Sequence, residues 1–110
     1  MSYQTNQDNV LAELRATLGN ISADEVERLM ARIEAAENVF FVGVGRVLLS
    51  LQAMAQRLAH LGIKTYVVGQ ITEPAITERD LLIVGSGSGE SMFPLGIARN
   101  AKSFHARVVH

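Results

Sequence analysis

Serine and glycine alternate in the segment that follows a short apolar run at residues 81–84. Residues 85–91 read GSGSGES, with three glycines and three hydroxyl side chains in seven positions. Hydroxyl groups donate hydrogen bonds, and glycines let backbone N–H groups approach an anion closely. The segment also opens a predicted helix, and a helix N-terminus favours negative charge. We therefore predict a cradle for a small phosphate monoester, although Ser88 as a simple helix cap is the alternative. The residues predicted to hold the phosphate are Ser86, Gly87, Ser88 and Ser91.

A second glycine turn follows another apolar run earlier in the chain. Residues 43–46 read GVGR and also open a predicted helix. Gly45 and Arg46 are candidate ligands of the same anion, because the carboxyl ends of parallel strands are where α/β proteins usually bind ligands. The alternative for Arg46 is an arginine that faces solvent.

Neither glycine turn matches a familiar nucleotide or hydrolase motif. A Walker A loop needs a lysine after its last glycine, and neither turn has one. The dinucleotide fingerprint needs a third glycine where this chain has Leu48 and Glu90. The serines also fall out of phase with the Gly-x-Ser-x-Gly turn of serine hydrolases. We predict neither a nicotinamide nor a flavin site.

The remaining titratable residues do not assemble into a motif. Glu90 lies in the first turn of a predicted helix, where interaction with the helix dipole is favoured over a catalytic role beside the phosphate. His60 lies near the end of another predicted helix, far from both glycine turns. His105 and His110 share no metal-ligand spacing with it. The sequence has no cysteine, and it predicts no metal site and identifies no catalytic residue.

Composition narrows the class of partner and the location. The chain has 110 residues, with 10 Lys+Arg against 11 Asp+Glu and 48% hydrophobic residues. This balance argues against nucleic acid or an anionic membrane as the main partner. The polar N-terminus lacks a signal-peptide pattern, and no apolar run approaches the roughly 20 residues of a membrane helix. We predict a cytoplasmic protein.

The order of predicted elements indicates an α/β fold. Helical spacing predicts helices over residues 9–18, 23–36, 47–61 and 90–103. Apolar runs predict strands near residues 39–44, 64–68, 81–84 and 106–109. Alternation of strands and helices predicts a three-layer, doubly wound parallel sheet over residues 38–110, preceded by two helices in residues 1–37 for oligomerisation or packing. The last strand has no helix to cover it, so we expect the N-terminal portion of a longer protein, with completion by oligomerisation as the alternative.

Five segments of the sequence together resemble the 6-phospho-3-hexuloisomerases, members of the sugar isomerase (SIS) domain superfamily. They are Val39–Arg46 (VFFVGVGR), Arg57–Gly62 (RLAHLG), Tyr66–Gly69 (YVVG), Pro74–Ile76 (PAI) and Asp80–Glu90 (DLLIVGSGSGE). The resemblance runs from about Glu25 to the last residue, and the Ser-Gly-Ser-Gly-Glu turn is its most specific part.

The resemblance implies a phosphosugar isomerase of SIS fold. It implies a sheet that normally has five parallel strands and conversion of 3-hexulose 6-phosphate to fructose 6-phosphate through an enediol, without metal or cofactor. It also implies that the second glycine turn holds the phosphate, with Ser91 where the family usually has threonine. Members form tetramers with sites at subunit contacts, so a dimer or tetramer is expected, and His60 would reach a site only on a neighbouring subunit.

Two departures from the family pattern leave a second function open. The first turn of the family usually carries a serine where this chain has Val47, and the lost hydroxyl weakens binding of a charged ligand by about one to two decades. The catalytic carboxylate of related enzymes lies later in the domain than these 110 residues. The alternative to an isomerase is therefore a regulatory SIS module that binds a sugar phosphate without converting it.

Overall fold

The computed structural model describes residues 2–86 and 92–110, which form helices and one parallel sheet. The helices are α1 (Tyr3–Gly19), α2 (Ala23–Ala35), α3 (Gly45–His60) and α4 (Met92–Ser103). The strands are β1 (Val39–Val42), β2 (Thr65–Val67), β3 (Leu81–Val84) and β4 (Arg107–Val109). Apolar runs become strands and apolar residues at helical spacing become helices, as the sequence predicts.

The sheet has the order β2-β1-β3-β4, and every neighbouring pair is parallel. All residues of the two central strands β1 and β3 are buried. Continuous burial requires that both faces of a strand be covered, and this explains why β1 and β3 are apolar without alternation. The α/β class with a parallel sheet is confirmed.

Helices α3 and α4 cover opposite faces of the sheet. Phe40, Val42, Leu82 and Val84 share one face and pack in a core cluster with small residues of α4. On the other face, a Cβ built on Gly43 would lie 2.9 Å from Leu51 of α3. Side chains alternate between faces along a strand, so the two contacts belong to different layers. The prediction of a doubly wound arrangement is confirmed.

The sheet order creates a switch point between β1 and β3. From β1 the chain proceeds through α3 to β2 at one side of β1, and it then returns to β3 at the other side. Helices α3 and α4 leave the two central strands on opposite faces of the sheet. In open α/β sheets, ligands usually bind at the carboxyl ends of the strands at such a switch point.

The first helix begins earlier than the apolar spacing predicts. Helix α1 starts at Tyr3 rather than near Asn9, because Ser2 caps it and accepts a hydrogen bond from the Thr5 N–H at 3.1 Å. Its first turns carry no apolar periodicity, and so the sequence pattern does not reveal them.

The chain divides into two compact units, Met1–Met30 and Ala31–His110. In the first unit, α1 has no buried residue. Its aliphatic side chains are all more than half exposed, and they are Val10, Leu11, Leu14 and Leu18. The second unit contains the sheet. The predicted assignment of residues 1–37 to oligomerisation or packing and of residues 38–110 to the sheet domain stays a prediction.

None of the helices within residues 2–86 and 92–110 combines the length and the apolar character needed to cross a membrane.

Candidate phosphate-binding site

The two glycine turns predicted to bind an anion begin side by side, at Gly43 and Gly85. Val42 and Val84 are paired at the carboxyl ends of β1 and β3, and the Gly85 N–H donates a hydrogen bond to the Val42 carbonyl at 2.9 Å. A Cβ built on Gly43 would lie 3.3 Å from the Gly85 carbonyl oxygen. The fold therefore brings the start of each turn to the switch point. The sequence alone predicts this position only because parallel strands end at the same edge of a sheet.

Close approach of α3 explains why glycine follows each central strand. A Cβ on Gly85 would lie 2.5 Å from Cγ1 of Val47 and 2.8 Å from Cδ1 of Leu51. A Cβ on Gly43 would lie 2.9 Å from the same Leu51 atom. Real Cβ atoms do not approach other atoms this closely. Helix α3 therefore packs directly against Gly43 and Gly85, and a larger residue at either position would clash with it.

The start of α3 is not capped by a side chain. Val44 occupies the N-cap position with extended backbone angles and makes no side-chain hydrogen bond to the helix. Gly45 follows with φ +61°, a left-handed conformation that favours glycine. The first N–H groups of a helix have no acceptor within the helix, and here no cap supplies one. This helix start therefore offers backbone donors toward the switch point.

Arg46 follows Gly45 in the first turn of α3. Its side chain is exposed, and no ion pair of Arg46 is found within the described residues. A guanidinium at this point adds positive charge to that of the helix start. Gly45 and Arg46 thus both lie beside the switch point, and their contact with a ligand stays a prediction.

Ser86 is the one predicted serine ligand that the structure describes. It is half-buried directly after Gly85 and so lies at the junction of the two turns. Gly87, Ser88 and Ser91 lie outside the described residues, as does Glu90. Their roles stay predictions.

His60 is remote from the glycine turns within the chain. It is the exposed last residue of α3, whereas the candidate site lies at the first residue of that helix. A helix of 16 residues is about 24 Å long. Among residues 2–86 and 92–110, no cluster of His, Asp and Glu suited to a metal ion is found.

Asp80 is a buried polar residue, and the sequence pattern does not indicate its burial or its hydrogen-bond partners. It is 2% exposed at the amino end of β3. Its two carboxylate oxygens accept hydrogen bonds from Asn38 and Thr77, each of which donates twice. Asp80 lies at the opposite end of the strands from the switch point. Because its carboxylate already accepts four hydrogen bonds, Asp80 joins segments of the chain and does not serve a ligand.

A cavity of about 640 Å³ lies at this amino end of the sheet. Among its lining residues, Arg79 and Glu37 form an ion pair at 2.7 Å, and Asp80 accepts hydrogen bonds from Asn38 and Thr77. It contains neither glycine turn. We therefore place the candidate ligand site at the switch point and not in this cavity.

Known proteins resemble the chain in both sequence and structure. A Bacillus subtilis (strain 168) protein named 3-hexulose-6-phosphate isomerase is 38% identical over 99 residues, which are 90% of this chain and 54% of the relative. A Methanocaldococcus jannaschii protein of the same name is 38% identical over 86 residues, 78% of this chain and 48% of the relative. The chain is a homologue of the 3-hexulose-6-phosphate isomerases. A scan against models of protein families returned no match.

Solved structures support the homology with 3-hexulose-6-phosphate isomerases. The crystal structure of a hypothetical protein superposes with a TM-score of 0.86 at 34% identity, covering 91% of this chain and 54% of that one. A second, from Methanococcus jannaschii, gives a TM-score of 0.75 at 39% identity over 77% of this chain and 48% of that one, and its crystal structure was described as inferring 3-hexulose-6-phosphate isomerase function. The SIS-like fold is confirmed. The chain spans about half the length of the curated relatives it matches.

Proposed function

We propose that this chain belongs to a phosphosugar isomerase that converts 3-hexulose 6-phosphate to fructose 6-phosphate. The observation that carries the proposal is the close approach of Gly43 and Gly85, where the two glycine turns begin at the switch point, in a chain homologous to proteins named for that reaction. Phosphosugars present a dianionic group and several hydroxyls. Backbone N–H groups, serine hydroxyls and an arginine are donors suited to both.

In this reaction a ketone moves between neighbouring carbons. A base removes the proton from the carbon that bears a hydroxyl, an enediol forms, and the proton is returned to the carbon that was the ketone. We propose that the described residues contribute binding and orientation to these steps. The proton-transferring residue is not assigned within this chain.

The phosphate site that we propose uses both turns. From the first turn come the N–H groups at the start of α3 and the exposed Arg46 side chain, and from the second comes Ser86 at the junction. The full set of proposed ligands is Gly45, Arg46, Ser86, Gly87, Ser88 and Ser91. The start of α3 supports the proposal because its first N–H groups have no intrahelical acceptor and the N-cap residue Val44 makes no side-chain hydrogen bond to them.

Thermal unfolding with and without fructose 6-phosphate tests this site. A ligand at ten times its Kd stabilises by about 1.4 kcal/mol, which raises the Tm of a domain this small by about 5–10 °C. We expect the rise in the parent chain and its loss in the double variant Ser86→Ala, Ser88→Ala. The matched control is Ser50→Ala, Ser103→Ala, which removes two hydroxyls from helices α3 and α4. An equal Tm rise in both double variants would exclude the second turn as the phosphate site.

A regulatory sugar-phosphate-binding module is the second candidate function. Val47 favours it, because its methyl group lies against Gly85 where the isomerase pattern has a hydroxyl. The two functions are separated by incubating the protein with 3-hexulose 6-phosphate and measuring fructose 6-phosphate. Binding with no product formed supports the module, and product formation that Ser86→Ala, Ser88→Ala abolishes supports the isomerase.

We also propose that the protein is a homo-oligomer, a dimer or a tetramer, that α1 takes part in the contact, and that it works in the cytoplasm. The exposed aliphatic side chains of α1 support the contact, since Leu11 is 57% exposed and Leu14 is 52% exposed. Grouped apolar side chains on one helix face mark an interaction surface more often than isolated ones do.

Light scattering measures the mass that this proposal predicts. We expect Leu11→Glu together with Leu14→Glu to reduce the molecular mass of the particle, because two buried charges at a contact are costly. Gln4→Glu together with Gln7→Glu adds the same charge to α1 without removing an aliphatic side chain, and it should leave the mass unchanged. A mass unaffected by the leucine substitutions would exclude α1 from the contact.

A further inference from the structure

Strand β2 has an outer side that faces away from the rest of the sheet. It lies at one end of the strand order, next to β1. The Lys64 carbonyl accepts a hydrogen bond from β1, and the Val68 N–H donates one to β1. Because backbone groups alternate between the two sides of a strand, the N–H and carbonyl groups of Thr65 and Val67 point away from β1. Among the residues that the structure describes, no further strand pairs with β2 on this side.

Gln70 satisfies both outward-facing backbone groups of Val67. Its side-chain oxygen Oε1 accepts a hydrogen bond from the Val67 N–H at 2.9 Å, and its own backbone N–H donates to the Val67 carbonyl at 3.2 Å. A residue opposite Val67 in an added antiparallel strand would exchange the same two kinds of bond. This single exposed residue therefore takes the place of a partner strand.

A glycine turn holds Gln70 in this position. Gly69 has φ +106°, a left-handed conformation that favours glycine. Its N–H donates to Oε1 of Glu73 at 3.1 Å, and the Glu73 N–H donates to the Gln70 carbonyl at 3.3 Å. Two further hydrogen bonds thus stabilise the turn that brings Gln70 against the strand.

The outer side of β2 is otherwise suited to pairing with another strand. Its sequence, Thr65-Tyr66-Val67, consists of residues that favour strands and contains neither a charge nor a proline. A cavity of about 570 Å³ beside it is lined by residues of α3 and β2 and by Gln70. Unpaired strand edges associate with other chains unless a feature of the protein blocks them.

We propose that Gln70 is an autoinhibitory contact that prevents β2 of one copy from pairing with β2 of a second copy. A second copy is the partner because two identical edges related by a twofold axis complement each other. The two strands would run antiparallel, with Thr65 of each opposite Val67 of the other. The bonds to Gln70 occupy the groups of Val67 that this pairing needs. Self-association is thereby restricted to other surfaces of the chain.

Sedimentation at a series of concentrations, together with amide hydrogen exchange of Val67 measured by NMR, tests this contact in the 110-residue chain. Gln70→Met keeps the length of the side chain and removes the acceptor, at an exposed position outside the core. At low concentration we expect Val67 to exchange about two- to tenfold faster, because one hydrogen bond is lost. At high concentration we expect the particle mass to reach at least about twofold the parental mass.

Three further variants separate the hydrogen bond from other effects of the substitution. Gln70→Glu keeps an acceptor oxygen at the same reach, and it should retain the parental exchange rate and mass. Gln56→Met makes the same change at an exposed position of α3 that lines the same cavity, and it should also match the parent. Thr65→Pro added to Gln70→Met removes an outward N–H and should restore the parental mass, because proline is tolerated where the N–H of an edge strand faces solvent.

Two results would overturn the inference. A parental mass for Gln70→Met at every concentration would show that the contact does not restrain pairing. A raised mass that persists after Thr65→Pro, or that Gln56→Met shares, would place the association on another surface. Thermal unfolding of each variant verifies that it is folded. Neither result bears on the phosphate site, since the inference does not depend on the proposed function.

Discussion

One carboxylate oxygen of Asp80 accepts hydrogen bonds from both donors of Asn38. The Asn38 backbone N–H lies 3.1 Å from Oδ1 of Asp80, and the Asn38 side-chain amide lies 3.0 Å from the same atom. The other oxygen, Oδ2, accepts from the Thr77 N–H at 2.8 Å and from the Thr77 hydroxyl at 3.1 Å. Asn38 directly precedes β1 and Asp80 directly precedes β3. This single carboxylate therefore fixes the amino ends of the two central strands to each other and to the loop that enters β3.

Asp80→Asn should lower the free energy of unfolding by about 2–3 kcal/mol. The substitution replaces one acceptor oxygen with an NH₂ group, which then faces N–H donors in a buried position and leaves them unsatisfied. Urea unfolding followed by circular dichroism measures the change. Asp24→Asn is the control, because Asp24 is exposed in the first turn of α2, where a carboxylate contributes about 0.3–1 kcal/mol. Equal losses in the two variants would contradict the role given to Asp80.

Helices α3 and α4 end in the same hydrogen-bonded motif with different residues at the left-handed position. After α3, Gly62 has φ +92° and its N–H bonds to the Ala59 carbonyl, while the Ile63 N–H bonds to Leu58. After α4, the left-handed position is taken by a histidine, with φ +64°. Its N–H bonds to Lys102, and the next N–H bonds to Ala101. These bonds define the Schellman motif, so both helices end in the same way.

His105→Gly should therefore stabilise the protein by about 0.5–1 kcal/mol. A left-handed conformation costs an L-residue about 1–2 kcal/mol, from which the greater chain entropy of glycine subtracts part. Gly62→Ala should do the reverse and destabilise by about 1 kcal/mol. Differential scanning calorimetry provides both values. Gly96→Ala is the control for alanine, since Gly96 lies inside α4 with open space around it and alanine favours a helix. A loss of stability in His105→Gly would contradict the strain argument.

The sequence specifies most of the fold because its signals are local. Apolar runs ended by glycine mark β1 and β3, and capping marks α2, where the Glu25 N–H bonds to the Ser22 hydroxyl at 3.3 Å. Predicted boundaries differ from the observed ones by a few residues, most at the start of α1. That start depends on a cap at Ser2 and not on burial, so apolar spacing does not indicate it.

The site is only partly predictable for a related reason. That two glycine turns meet follows from parallel topology, because the carboxyl ends of neighbouring strands share one edge of a sheet. The contact between Val47 and Gly85 does not follow, because it depends on how closely α3 seats on the strand ends. The donors around Asp80 are likewise hidden, since Asn38 lies 42 positions earlier in the chain. Interactions between distant residues leave no local pattern.

Val44→Asn and Val44→Asp should both stabilise the chain, by about 1 kcal/mol each, and differ in ligand binding. Valine is a poor N-cap residue, whereas asparagine and aspartate accept hydrogen bonds from the first N–H groups of a helix. Aspartate adds a negative charge beside the proposed phosphate site, and we expect about tenfold weaker binding of fructose 6-phosphate than in the asparagine variant. Thermal unfolding and calorimetric titration measure the two effects. Equal Kd values for the two variants would show that the ligand does not lie near the start of α3.

The contact between Gly85 and Val47 should appear as coupling in a double-mutant cycle. Gly85→Ala introduces a Cβ at 2.5 Å from Val47 Cγ1, an overpacking that costs about 1–3 kcal/mol. Val47→Ala removes the methyl groups that clash, so the double variant should be more stable than the sum of the single losses by about 1 kcal/mol. Urea unfolding of the four proteins gives the coupling energy. The remaining neighbour, Leu51 Cδ1 at 2.8 Å, is the end of a flexible side chain and shifts more easily. Strict additivity would mean that α3 moves away from β3 when Gly85 is substituted.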